Sequence, residues 1–237
     1  MLSTLRLLLR AGYKAFLSPT KSLVSYSQYA EDIIIYNLLK SLKKNKNGIF
    51  VDVGSHHPRR GSNTYFFYKL GWRGLLIDLE KDKVLAAKLS RPRDKVILAA
   101  VSSEKKKVDI YSQKYFSTNT TIRKDTIDSS YKKTSTVITK TLQEILQENK
   151  IPKNFEILSI DVEGEDLDVL LGLSLKNYCP LVICVESWES RNGIKSLLES
   201  PLHHHLSKNN YNLIGWSGLS VIYLTHEFNP AKKILQK

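Results

Sequence analysis

Four short apolar runs in this chain each close on a carboxylate: Asp52 after IFV, Asp78 after GLLI, Asp161 after FEILSI, and Glu186 after LVICV. Glu163 and Glu165 follow directly behind the third of these acids. Carboxylates gathered in one place attract cations, accept protons and repel phosphate. The first run leads into the turn Gly54-Ser55-His56-His57-Pro58, where glycine allows a sharp reversal and a close approach of backbone to ligand. An acid at the end of the next strand, here Asp78, can accept hydrogen bonds from both hydroxyls of a ribose. A dinucleotide-binding turn also needs bare amides and a further glycine for the pyrophosphate, and this turn has His57 and Pro58 instead. The residue types therefore suit a nucleoside carrying positive charge, such as a sulfonium, better than a pyrophosphate. Arg59 and Arg60 act in the opposite sense.

For these acids to meet, the runs that carry them must lie side by side. Residues 49–54, 74–80, 96–101, 155–164 and 181–186 lack polar alternation, as strands covered on both faces by helices do. Helical patterns occupy 63–70, 82–89, 142–149, 165–173 and 194–209, and a further helix is expected from Ser27, read as its N-cap with Glu31 and Asp32 in the first turns. Strand–helix alternation of this kind predicts a doubly wound, mostly parallel sheet. Residues 211–216 and 219–224 read as two strands joined through Ser217 and Gly218, an antiparallel hairpin that completes seven strands. In such sheets ligands sit beyond the carboxyl ends of the strands, the edge where all four acids fall. The polar stretch 112–137 reads as a long mobile loop. Trp72 is read as packing or turn structure, and the consecutive His203, His204 and His205 cannot share one helix face.

The chain has 237 residues, room for one α/β domain. Its organisation is expected to be a basic helical extension over 1–26, a domain over 27–226 and a basic tail over 227–237. Lys and Arg number 36 against 23 acids, a net charge of +13 that favours anionic surroundings and says nothing of the fold. The segment MLSTLRLLLRAGYKAFLSPTK contains no acid. As a helix it sets Arg6, Arg10 and Lys14 on one face and Leu2, Leu5, Leu9 and Phe16 elsewhere. That is a peripheral membrane-surface pattern, against the alternative of a helix packed on its own domain. Arg6 and Arg10 interrupt any signal-peptide core, and no apolar stretch is long enough to span a bilayer. Cys179 and Cys184 lie in or beside an apolar run and read as buried thiols in a reduced, cytoplasmic setting.

SQYAEDIIIYNLL, FVDVGSHHP followed by SNTYFFYKLGWRGLLID, LAAVS, LSIDVEGEDLDVLLGL and the late NNYNLIGWSGLSVIYL together resemble the FkbM family of methyltransferases. The resemblance extends over roughly residues 27–224 and consists of several ordered motifs. It implies a Rossmann-like class I methyltransferase fold, S-adenosyl-L-methionine as donor, and O-methylation of a hydroxyl on a sugar, glycan or other small natural product. By the same resemblance Asp52, Gly54, Ser55, His56 and Asp78 contact the cofactor, with Leu79 and Ala100 beside it. Asp161 and Glu163 then face the methyl group and the acceptor. One departure is Ala30, where the family's helix motif has glycine; alanine is expected to suit a helix there.

Methyl transfer to a hydroxyl is helped by a general base, for which Asp161, Glu163 and His57 are the candidates, Asp161 first. Glu165 and Asp166 read as acids stabilising a helix start. A less favoured arrangement has Mg2+ bridging Asp161, Glu163 and Glu186 to a sugar diol. Two other functions fit less well: a nucleic-acid methyltransferase, prompted by the charge, and a non-catalytic nucleoside binder or dehydrogenase. The Asn/Asp-Pro-Pro-aromatic turn used on exocyclic base nitrogens is absent. Residues that read the acceptor are expected in 1–26, 112–137 and 187–192.

Overall fold

The computed structural model describes residues 2–14, 23–42, 44, 46–113, 120–124 and 127–226. The basic tail 227–237, Phe16 and Lys21 lie outside the described residues. Five parallel strands build the sheet: β1 (Ile49–Val53), β2 (Arg73–Asp78), β3 (Lys95–Leu98), β6 (Ile157–Ile160) and β7 (Val182–Glu186). The hairpin β8 (Tyr211–Ser217) and β9 (Ser220–Thr225) adds two antiparallel strands, giving the order β3-β2-β1-β6-β7-β9-β8. This is the expected Rossmann-like methyltransferase arrangement, with the strand order reversing between β1 and β6.

Successive residues of each strand feed opposite layers, which is why the runs show no polar alternation. Val51, Val53, Leu75, Ile77, Leu158 and Ile160 pack with α5 (Leu142–Glu148) and α6 (Asp166–Leu171). Phe50, Leu76, Val182 and Cys184 pack with α2 (Glu31–Ser41), α3 (Tyr65–Lys69) and α4 (Lys81–Ser90) on the other face. Trp72 is buried against Phe67 at 4.9 Å between ring centres, the packing role expected of it. Cys184 is buried and Cys179 half-buried, and both are free thiols.

The structure corrects several expectations. Residues 112–137 do not form a simple loop: β5 (Lys132–Ile138) pairs antiparallel with β4 (Lys107–Ser112) as a separate ribbon. Its Lys, Thr and Ser side chains face solvent on both sides, so no apolar periodicity marks the strand. The helix expected over 194–209 is two helices, α7 (Ile194–Leu198) and α8 (Pro201–Lys208). Pro201 cannot continue a helix but suits the first position of a new one, and Ser200 caps it by accepting from the amide of His203 at 3.1 Å.

Helix α2 starts at Glu31, not at Ser27. Ser27 still serves that helix end, because its hydroxyl accepts from the amide of Asp32 (3.3 Å) and donates to its carboxylate (2.9 Å). Asp32, fully buried, also accepts from the Ser25 hydroxyl and the Tyr26 amide, both at 2.7 Å. Ala30 is outside the helix with φ +64°, the left-handed region in which glycine is unstrained. The alanine therefore carries strain there, contrary to the expectation that it would suit the helix.

Helix α1 (Leu2–Gly12) does not pack on the domain: Leu5, Leu7, Leu8 and Leu9 are each more than half exposed. Among the described residues no helix is long and apolar enough to cross a membrane.

Candidate active site

A cavity of about 670 Å³ opens at the carboxyl edge of β1, β2 and β6. All ten residues singled out from the sequence line it: Asp52, Gly54, Ser55, His56, His57, Asp78, Leu79, Ala100, Asp161 and Glu163. Parallel strands in near register bring them together, since Val53 sits opposite both Ile77 and Ile160 and the next residues leave the sheet on one side.

The turn after β1 is held by its own amides. Gly54 and Ser55 donate their N–H groups to the carbonyl of Ile77 (2.9 and 3.2 Å), and His56 donates to Asp78 Oδ2 (2.9 Å). Three consecutive amides are thus turned inward, whereas a pyrophosphate cradle would aim them at the ligand. Gly54 has φ +81°, and a Cβ there would lie 1.8 Å from the carbonyl oxygen of Asp161. Glycine alone lets the turns after β1 and β6 touch.

Asp78 also accepts from the amide of Glu80 at Oδ1 (2.9 Å), so each carboxylate oxygen holds one backbone donor and keeps a lone pair for a ligand. Burial pushes its carboxyl above the ordinary range, and nearby Lys83 pulls the other way. Lys83 pairs with Glu80 at 2.7 Å, and Thr120, from the segment between β4 and β5, donates to the same carboxylate. Leu79, Ala99 and Ala100 complete an apolar slot beside Asp78. Asp52 lies beneath, accepting from Thr64 Oγ1, which in turn accepts from the buried Arg91 guanidinium at 3.0 Å. Arg91 is paired with Asp94 at 2.8 Å, both side chains fully buried.

The turn after β6 carries the remaining acids. Asp166, expected only to favour the start of a helix, accepts from the amides of Val162 (3.1 Å) and Gly164 (3.2 Å) and so locks the turn. Arg123 fastens it from outside by donating to the Gly164 carbonyl at 3.0 Å. Within this brace Glu163 sits at φ +55°, and His56 opposite sits at φ +39°. Non-glycine residues in that region cost about 1–3 kcal/mol each and persist where surrounding structure imposes them.

Asp161 opens onto the cavity but is walled by protein on its other sides. That confinement, reinforced by the charges of Glu186, Asp166 and Glu163, pushes its carboxyl well above the usual range. Glu163 is pushed up to about 7, by burial first and then by Glu186. Glu186, raised by burial, accepts from the Trp188 indole at 3.0 Å. Asp161, Glu163 and Glu186 thus all hold a proton more tightly than ordinary carboxyls do. Among the described residues no group of three or more His, Cys, Asp or Glu side chains is placed to hold a metal ion.

The two histidines differ. Burial, then Lys83, lowers His56 to about 4, which keeps it neutral. His57 Nδ1 accepts from the amides of Arg59 (3.1 Å) and Arg60 (3.0 Å). A ring nitrogen that accepts carries no proton, so the neutral ring has its hydrogen on Nε2. Thr120 and Arg191 line the cavity from the stretches 112–137 and 187–192 in which acceptor-reading residues were expected, whereas sequence reasoning missed Gln28, Asn63 and Lys83, which line it too. No local pattern marks them, since distant contacts bring them there.

The family model described as Methyltransferase FkbM domain matches residues 52–209, more than half of the chain. No curated protein matches the sequence significantly. Among solved structures, a methyltransferase from Geobacter sulfurreducens is 12% identical, with 92% of this chain and 96% of that chain covered and a TM-score of 0.46. The O-methyltransferase from Bacillus cereus in complex with SAH is 14% identical, with 94% and 91% covered and a TM-score of 0.45.

Proposed function

This chain belongs to the FkbM methyltransferase family, and on that footing we propose that it transfers a methyl group from S-adenosyl-L-methionine to a hydroxyl of a sugar, a glycan or another small natural product. The observation that carries the reading is the turn Gly54–His56, whose amides are spent on Ile77 and Asp78 rather than offered to a phosphate. A nucleoside without a pyrophosphate suits such a site, and the acid lining suits its positive groups.

The residues present fit such a donor. Asp78 would hold the ribose hydroxyls, the slot of Leu79, Ala99 and Ala100 would take the adenine, and the acids at the β1 and β6 turns would face the charged end. When bound, S-adenosylmethionine supplies an electrophilic methyl carbon. The protein's own part is positioning, which supplies much of the rate of a displacement, and handling the proton a hydroxyl must lose. Asp161, with its raised proton affinity and its opening onto the cavity, is the group that orients the hydroxyl and takes the proton. A base so placed contributes about 10² to 10⁴ in rate. His57, with its proton on Nε2, serves as a hydrogen-bond donor to the acceptor rather than as the base. The acid-lined mouth also disfavours a polyanionic acceptor such as nucleic acid.

Calorimetric titration with S-adenosylmethionine and S-adenosylhomocysteine tests the donor. The expected result is micromolar binding to the wild type and its loss in Asp78→Ala. A folded protein that binds neither compound would refute the reading. Screening of sugar and small-molecule hydroxyls for methyl transfer follows.

A further inference from the structure

Helix α1 has features that the methyl-transfer reading leaves unused. Leu5, Leu8 and Leu9, with Tyr13 in the turn that follows the helix, recur at the spacing of one helix face, each more than half exposed at 56%, 64%, 65% and 55%, while Leu7 (67%) lies on the opposite side. Arg6, Arg10 and Lys14 follow at intervals of four along the adjacent face, and residues 1–21 contain no acid. An isolated helix of this length is marginal in water and owes its stability to whatever covers its apolar face. No part of the described domain does so.

We infer that α1 lies flat on an anionic lipid surface, with Leu5, Leu8 and Leu9 in the acyl boundary and Arg6, Arg10 and Lys14 against the headgroups. The charge pattern selects this occupant. Cations beside an apolar face complement a negative bilayer surface. A second copy of the helix packed face to face would instead bring three cations against three like charges. The net charge of +13 acts in the same direction over longer range.

The test is co-sedimentation of the full chain with vesicles of phosphatidylcholine alone and of phosphatidylcholine with phosphatidylserine. The wild type binds the anionic vesicles and gains helical circular dichroism there. Replacing Arg6, Arg10 and Lys14 by Ser weakens partitioning on the order of a hundredfold, at roughly fivefold per cation. Leu5→Ser/Leu8→Ser/Leu9→Ser leaves the net charge unchanged and weakens it on a similar order. Neither variant moves the thermal midpoint, because α1 contributes nothing to the core. The inference is overturned by an absence of vesicle binding or by equal binding to both compositions. Full binding by the leucine variant would overturn it too, since the body's charge alone would then hold the surface. A vesicle-independent dimer abolished by the leucine variant would assign the face to a second copy instead.

Discussion

The carboxyl of Glu163, raised to about 7 by burial and by Glu186, makes recognition of a positively charged donor depend on pH. Below that value the group is mostly neutral; above it the group is ionised and can attract a sulfonium. At about pH 6 roughly ten molecules in eleven carry the proton, and at about pH 8 roughly one in eleven does. If the sulfonium binds the ionised form, affinity for S-adenosylmethionine weakens about tenfold between these two conditions as pH falls. S-adenosylhomocysteine has the same nucleoside and amino-acid groups but no sulfonium charge. The ratio of the two affinities therefore isolates the effect from general changes in the site. Titration calorimetry of both compounds at the two pH values reads it directly. In buffers of different ionisation heat, binding near pH 7 should release about half a proton per site. In Glu163→Gln the ratio should change far less with pH. A wild-type ratio that is constant over this range, or a full pH dependence surviving in Glu163→Gln, would show that Glu163 does not face the donor's charge.

Other consequences can be checked by stability and binding. Gly54→Ala forces a Cβ into the Asp161 carbonyl at a φ of +81°, so it should cost about 2–4 kcal/mol in urea unfolding and abolish nucleoside binding. Ala30→Gly relieves a left-handed alanine at an exposed position; the gain of about 1 kcal/mol, less the greater chain entropy of glycine, should leave the unfolding midpoint slightly raised. Arg91→Met leaves the buried Asp94 carboxylate without its cation and Thr64 without a donor, a loss of about 3 kcal/mol or more by chemical denaturation. Because the Glu163 carboxyl is raised in the fold from 4.5 to about 7, it disfavours the ligand-free protein progressively as pH climbs through that window. Glu163→Gln should accordingly raise the thermal midpoint more at about pH 8 than at about pH 5.

The strands, their two-sided burial and the edge at which the acids meet were readable in the sequence. Each depends on local pattern: an unbroken apolar run, a carboxylate at its end, and the rule that parallel strands present those ends together. The family motifs carried the same information in compressed form. The ribbon of β4 and β5 was not readable, because a strand exposed on both faces leaves no apolar period. Nor was the strain at Ala30, since a residue type does not disclose its own φ. At the site, what only the tertiary structure decided is the direction and charge of each group. The Gly54–His56 amides point inward because Ile77 and Asp78 receive them. His57 holds its proton on Nε2 because the backbone folds over Nδ1. Glu163 titrates near neutrality because the fold buries it and sets the charge of Glu186 near it. All three follow from contacts rather than from residue types. In each case the partner that decides the chemistry is placed by the folded chain, and for Asp78 and Glu186 it comes from another strand, so no linear spacing encodes it.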